Sequence, residues 1–243
     1  PLDMFFSSYL ATYLERDVRQ LVNVSNLRTF EQFIRLLAVR NAQILDMAEI
    51  GNSLGISSKT VASWLSVLET SGQITFLQPW FGNVGKRIVK TPKVYFNDTG
   101  LLCWLLGIEK EKLKISPFAG SIFETAVFAE LRKNNKLNGN KKQLCYYRDI
   151  SQTEIDFLEI GAGCRLIESK LTENPKSDDA SGIKKFYERL LAITNIPAEL
   201  NPLSAYIVCN VHENFPLKIN IKNENIKVNA VNIKDLLLDT VVF

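Results

Sequence analysis

Thr153-Glu-Ile-Asp-Phe-Leu-Glu-Ile160 and Cys164-Arg-Leu-Ile-Glu-Ser-Lys-Leu171, joined by Gly161-Ala-Gly163, decide how this chain is read. Two apolar runs flank a turn that glycine favours, which predicts a β-hairpin. Side chains alternate along a strand, so Glu168 and Lys170 share one face and Ser169 takes the other. Leu166 and Leu171 are apolar neighbours. Two charges therefore sit within a largely buried strand, which is costly unless they are paired or hold an ion. Asp156 stands at the head of the first run.

Upstream, Gly120-Ser-Ile-Phe-Glu-Thr-Ala-Val-Phe-Ala-Glu-Leu131 has the apolar spacing of an amphipathic helix and carries Glu124. Leu144–Arg148 reads as a further strand, 178–194 as a helix and Ala205–Cys209 as a buried strand. Strands mixed with flanking helices predict an α/β (α+β) domain. The stretches 133–142 and 220–225 read as polar loops.

An acidic helix residue, an Asp on one strand and Glu-x-Lys on the next resemble the active site of metal-dependent nucleases of the PD-(D/E)xK type. The resemblance implies catalytic roles for Glu124, Asp156, Glu168 and Lys170. Mg²⁺ or Mn²⁺ would be held by Glu124, Asp156 and Glu168, since such ions take hard oxygen ligands. The ion would polarise a phosphate and acidify a bound water, and Lys170 would steady that water or the developing charge. The proline that usually precedes the Asp is replaced by Ile155. Read without the resemblance, the same residues are charges on a sheet edge, with Glu168 and Lys170 a surface pair.

Nearer the N-terminus, residues 3–22 read as a helix, with Phe5, Tyr9, Tyr13, Leu14, Val18 and Leu21 at helical spacing. Leu27–Ile44 is a second helix that faces Phe30, Phe33, Ile34, Leu37 and Ala38 inward. Asp46 is an N-cap for Met47–Leu54. Gly55-Ile-Ser57 is a turn, and Ser58–Glu69 is a third helix. Helices joined in this way, followed by strands over 73–80 and 87–96, predict a winged helix. Asp98 or Thr99 caps the helix after it. Ser58, Lys59 and Thr60 are expected at a DNA groove, and Lys86, Arg87, Lys90 and Lys93 form a basic wing for phosphate contacts. Winged helices also bind proteins, which leaves a protein-interaction reading open. Trp80 and Phe81 are expected to pack the wing. Gly82-Asn-Val-Gly-Lys86 lacks the spacing and hydroxyl residue of a phosphate-binding loop, so the chain is expected to have no ATPase activity of its own.

The composition fits these readings. Of 243 residues, 46% are hydrophobic and 23% charged, and the net charge is only +3, so nucleic-acid binding depends on clustering of the Lys and Arg residues. Four cysteines without a Cys-x-x-Cys pair and a single histidine argue against zinc. They suit a reducing, cytoplasmic setting. No apolar run is long enough to span a bilayer. The opening Pro-Leu-Asp and a long first helix lead to the expectation that the chain is part of a longer protein.

Tyr13-Leu-Glu-Arg-Asp-Val18, Leu54-Gly-Ile-Ser57 with Thr60-Val61, Lys86-Arg87 and Pro92-Lys-Val-Tyr-Phe-Asn-Asp-Thr-Gly-Leu101 carry a wider resemblance. Phe123-Glu124, Glu154-Ile-Asp156 and Ile167-Glu-Ser-Lys170 extend it over most of the chain. Together they are similar to the C-terminal part of predicted prokaryotic AAA-type ATPases, a region of unknown function that follows the ATPase module. The resemblance implies three parts. Residues 1–26 would connect from an N-terminal ATPase module, 27–98 would be the winged helix, and 99–243 would be a restriction-endonuclease-like domain. The partners implied are DNA and that ATPase module, with no membrane. A DNA-binding, Mg-dependent endonuclease is the first functional expectation. A non-catalytic DNA- or protein-binding module that serves the ATPase is the second.

Overall fold

The structure is a computed structural model and describes residues 2–18, 27–82, 89–139, 141–221 and 224–237. It is mixed helix and sheet and divides into two compact units. The first comprises residues 1–76 and 92–125, the second 77–91 and 126–243. The chain therefore passes between units three times, whereas the sequence reading divides it after residues 26 and 98.

In the first unit, α1 (Leu2–Thr12) runs into a π-helical turn over Tyr13–Val18. Leu10, Tyr13 and Val18 are buried, but Phe5 is 61% exposed and Tyr9 is exposed too. Phe6 and Leu10 pack on the core instead, so the buried stripe lies one position round from Phe5 and Tyr9. Tyr13 bonds Ser71 and Trp104 donates to Asp3, which fixes the helix within its unit. The expected continuation to residue 22 lies outside the described residues beyond Val18.

Helix α2 (Leu27–Val39) buries Phe30, Phe33, Ile34, Leu37 and Ala38, as their i, i+3, i+4, i+7 spacing predicts. Asp46 caps α3 (Met47–Leu54) by accepting from the N–H groups of Ala48 and Glu49. Gly55 ends that helix at φ 67°, a left-handed conformation that suits glycine. Ser57 caps α4 (Ser58–Thr70) through the Thr60 N–H. Trp64 of α4 meets Phe30 and Phe33 edge-on at 5.1 and 5.4 Å. Burying each such ring contributes roughly 1.5–3 kcal/mol.

Strand β1 (Ile74–Leu77) pairs with β2 (Lys93–Phe96), and Ile44 bridges Lys93 on the other side. Asp98 caps α5 (Thr99–Leu105) through the Leu101 N–H. The strands are shorter than the sequence suggests. Residues 78–80 and Val89 leave the pair and join the second unit. There Trp80 N–H donates to Tyr146 O, Tyr146 N–H to Gln78 O, and Val89 N–H to Arg148 O. The cause is Trp80, which is buried against Tyr147 and Phe186 at 6.3 and 6.1 Å and so does not pack a free wing.

Helix α6 (Ala119–Leu137) enters the second unit at residue 126. That unit is built on a six-stranded sheet of order β3-β4-β5-β6-β8-β7. The strands are β3 (Gln143–Arg148), β4 (Glu154–Ile160), β5 (Cys164–Ser169), β6 (Leu203–Val208), β7 (Phe215–Ile221) and β8 (Glu224–Val231). β3, β4 and β5 form an antiparallel meander through the hairpin at Gly161–Gly163. Helix α7 (Ser181–Leu190) then carries the chain from β5 to β6, which runs parallel to it. Ile183, Phe186 and Leu190 of α7 bury against Leu158, Leu166 and Ile207. Phe128 of α6 stacks on Phe157 of β4 at 5.9 Å.

Of the stretch expected as a loop, Asn220 and Ile221 pair with Asn225 and Glu224 at the end of an antiparallel β7–β8 pair. Its signal was the alternation of Leu217, Ile219 and Ile221 with polar residues. A final helix, α8, spans Ile233–Leu237.

Candidate functional site: an acidic cluster at the end of the meander

β4 does not run straight into Asp156. Cys145 pairs with Leu158 and Tyr147 with Ile155, so three steps on β4 face two on β3. The extra residue is a β-bulge at Asp156-Phe157, and it lets Ile155 and Leu158 both reach the core beside α7. Such bulges re-aim side chains at the point where they occur. The β4–β5 register ends at Phe157↔Ile167, so Asp156 and Glu168 lie just beyond the paired residues.

Asp156 turns toward β5. Its Oδ2 accepts the Ser169 N–H and the Ser169 hydroxyl, each at 2.8 Å. Glu168 lies one residue earlier and is 5% exposed, while Asp156 is 9% exposed. Lys170 Nζ lies 3.5 Å from Glu168 Oε2. Burial pulls the Lys170 ammonium toward neutrality. The carboxylates of Glu168, Asp156 and Asp179 outweigh it, and its pKa is raised from 10.5. The charges of Glu168, Asp156 and Asp179 all act on Lys170.

The start of α7 closes the cluster from above the strand. A Cβ on Gly182 would lie 2.4 Å from Glu168 Oε1 and 2.1 Å from the Glu154 carbonyl oxygen. Only a residue without a side chain fits there. Neither Gly182, Ser169 nor Asp179 was singled out as a site residue from sequence. Ser169 sits inside the Glu-x-Lys pattern and was visible in principle. Asp179 and Gly182 reach the cluster only through the crossover helix, which spacing does not reveal.

The turn before β4 is fixed by a second buried group. Asp149 is fully buried, ion-pairs with Arg189 of α7 and accepts the N–H groups of Ser151 and Thr153. Arg189 also donates to Tyr147 and Thr153. α7 therefore holds the approach to Asp156 and packs closely over the carboxylate of Glu168.

Glu124 belongs to the first unit, and its carboxylate is taken up there. Its Oε1 accepts from Tyr95 hydroxyl at 2.6 Å and from Lys93 Nζ at 3.1 Å. The expected DNA contact at Lys93 is corrected by this pair. Lys93 is 2% exposed in β2 and offers no ammonium to a phosphate. Among the other expected contacts, Ser58, Lys59 and Lys90 are exposed and Thr60 is partly so, while Lys86 and Arg87 lie outside the described residues.

Among the described residues, no group of three His, Cys, Asp or Glu side chains is placed to hold a metal. Asp156 and Glu168 supply two carboxylates, and two suffice for Mg²⁺ when waters and substrate phosphates complete its shell. Both hydrogen bonds to Asp156 fall on Oδ2, which leaves Oδ1 without one among the described residues. That hard oxygen fits a divalent cation. The four cysteines are free thiols, and no described helix is long and apolar enough to cross a membrane.

Two domains of unknown function match the chain: DUF8612 over residues 2–112 and DUF4143 over residues 119–231. The chain is also similar to two curated relatives, the uncharacterized proteins Mb2031c of Mycobacterium bovis and Rv2008c of Mycobacterium tuberculosis. Each is 33% identical over 169 residues, which is 69% of this chain. The match spans 37% of the length of either relative.

Proposed function

We propose that this chain binds DNA and hydrolyses phosphodiester bonds with Mg²⁺ or Mn²⁺ at Asp156, Glu168 and Lys170. The observation that carries the reading is a cluster at the end of β4 and β5 in which Asp156 and Glu168 are nearly buried and Lys170, partly exposed, stands among the charges of Asp156, Glu168 and Asp179. Two carboxylates withdrawn from water at a strand end cost more than a solvated edge would, and an ion or a substrate phosphate would offset that cost. The expected nuclease-like frame is supported by the order of elements: helix α6, the meander β3–β5, crossover helix α7 and parallel β6.

The residues divide the work by charge. Asp156 and Glu168 would hold the cation, and the cation when bound supplies Lewis acidity and an acidified water. Lys170 keeps its proton at neutral pH and neutralises charge that builds on the phosphate. Glu168 holds Lys170 in place through the 3.5 Å pair. Glu124, expected as a third ligand, accepts from Lys93 and Tyr95 within the first unit.

DNA would be met by a winged helix. The run α2, the Ile44 bridge, α3, α4 and the β1–β2 pair supports that reading, with Ser58 and Lys59 exposed at the start of α4. Phosphate contacts there and at Lys90 supply affinity without sequence preference. In its longer form the protein would place an ATPase module before this region. Nuclease assays on supercoiled, branched and single-stranded DNA with Mg²⁺, Mn²⁺ or chelator test the reaction.

The second reading is a non-catalytic DNA- or protein-binding module that serves the ATPase. One observation favours it: no three-ligand metal group exists among the described residues. Cation uptake measured by calorimetry separates the two readings.

A further inference from the structure

The residue between the two halves of the Glu-x-Lys pattern is bonded to the Asp of the neighbouring strand. Ser169 gives that Asp two donors on one oxygen, its N–H and its hydroxyl, each 2.8 Å from Asp156 Oδ2. A carboxylate terminus otherwise turns within a broad, two-fold torsional well, so neither oxygen has a fixed role. Two donors on Oδ2 remove that freedom and set Oδ1 apart. The bulge at Asp156-Phe157 is an independent part of the arrangement, because it swings Asp156 out of the β3 ladder at this point.

We propose that Ser169 is a positioning residue for Asp156, fixing the carboxylate so that Oδ1 is presented to a divalent cation. The proposal rests on the phosphodiesterase reading and deepens it. It gives Ser169 a role through its hydroxyl and N–H, and it requires no contact between Ser169 and the cation. Groups that orient a metal ligand in this way change metal affinity by about 10–100-fold when removed. Ser169→Ala keeps the backbone donor and loses only the hydroxyl, so the lower end of that range applies.

The experiment is calorimetric titration of the whole chain with Mn²⁺ alone, no DNA present. Wild type, Ser169→Ala, Ser169→Thr, Asp156→Asn and the Asp156→Asn/Ser169→Ala double variant are compared, with circular dichroism to show that each is folded. Ser169→Ala is expected to weaken Mn²⁺ uptake by about tenfold. Ser169→Thr retains the hydroxyl on a residue that suits a strand and is expected to bind like wild type. In the Asp156→Asn background, Ser169→Ala is expected to add nothing. Uptake by Ser169→Ala equal to that of wild type overturns the proposal and leaves the phosphodiesterase reading intact. A Ser169→Ala loss that Thr does not restore also overturns it. No Mn²⁺ uptake by wild type removes both, and that result is distinct from the other two.

Discussion

Lys93 Nζ lies 3.1 Å from Glu124 Oε1, with Tyr95 hydroxyl on the same oxygen. The pair joins β2 to α6 in the first unit, and it has a measurable consequence. Lys93→Met strands a mostly buried carboxylate and is expected to cost about 3 kcal/mol, the low end for breaking a buried pair, because Glu124 keeps Tyr95 and some water. Lys93→Met with Glu124→Gln removes both charges and is expected to cost less than Lys93→Met alone. Urea denaturation of the single and double variants reads the difference. Equal costs would show that the pair does not hold these elements together.

Gly182→Ala places a methyl 2.1 Å from the Glu154 carbonyl and 2.4 Å from Glu168 Oε1. Backbone on one side cannot yield, so the first turn of α7 must move. Overpacking of this kind costs about 1–3 kcal/mol, and it is expected to push Glu168 away from Lys170. Denaturation midpoint and Mn²⁺ uptake are both expected to fall, with Gly182→Ser behaving at least as badly. A variant that matches wild type in both would show that α7 does not press on the site.

The thiols report on the sheet core. Burial pushes Cys145 and Cys164 up to about 12, with help from Cys164 for the first and from Glu159 and Glu199 for the second. At pH 8 neither is expected to react with iodoacetamide until denaturant is added. In the unfolded chain each ionises near its ordinary 9.0, while the folded chain keeps its proton to about 12. The unfolded state thus sheds protons first, and stability falls as pH rises from 9 toward 12, on the order of 1 kcal/mol per thiol at pH 10. Lys170, raised from 10.5, acts in the same direction at still higher pH. Denaturation at pH 8 and pH 10 measures the loss; equal stability at both would contradict the burial of these thiols.

DNA affinity is expected to come from exposed cations outside the acidic cluster. Lys59→Ala and Lys90→Ala should each weaken binding at every sequence and lower the slope of log affinity against log salt by about 1. Lys93→Ala should leave that slope unchanged, since Lys93 is buried. Fluorescence anisotropy over a salt series distinguishes these outcomes. A Lys93 effect as large as that of Lys59 would contradict the assignment.

How much of this was legible in the sequence differs by element. The helix face of Phe30, Phe33, Ile34, Leu37 and Ala38, the caps at Asp46 and Asp98, and the hairpin at Gly161–Gly163 follow from local spacing, and the structure has them. What spacing could not show depends on long-range packing. Trp80 looked like a wing residue and is core in the second unit, because its ring finds Tyr147 and Phe186. Lys93 looked like a surface cation, because nothing in a short strand announces a partner on a helix thirty residues later. The bulge at Asp156-Phe157 shows only in the strand register, and the approach of Gly182 comes from α7, which sequence order places after the site. The β7–β8 pair is legible by its alternation and is hidden by the polar run in sequence over 220–225.

The claim at the centre of this account is that Asp156, Glu168 and Lys170 form a cation-dependent phosphodiesterase site. Cleavage of supercoiled plasmid with Mg²⁺ or Mn²⁺, wild type beside Asp156→Ala and Lys170→Ala, tests it most directly. Expected are cleavage that a chelator stops, its loss in Asp156→Ala, and crippled cleavage with Mn²⁺ uptake largely retained in Lys170→Ala. Plasmid left intact by wild type with either metal, together with no Mn²⁺ uptake, would contradict the claim.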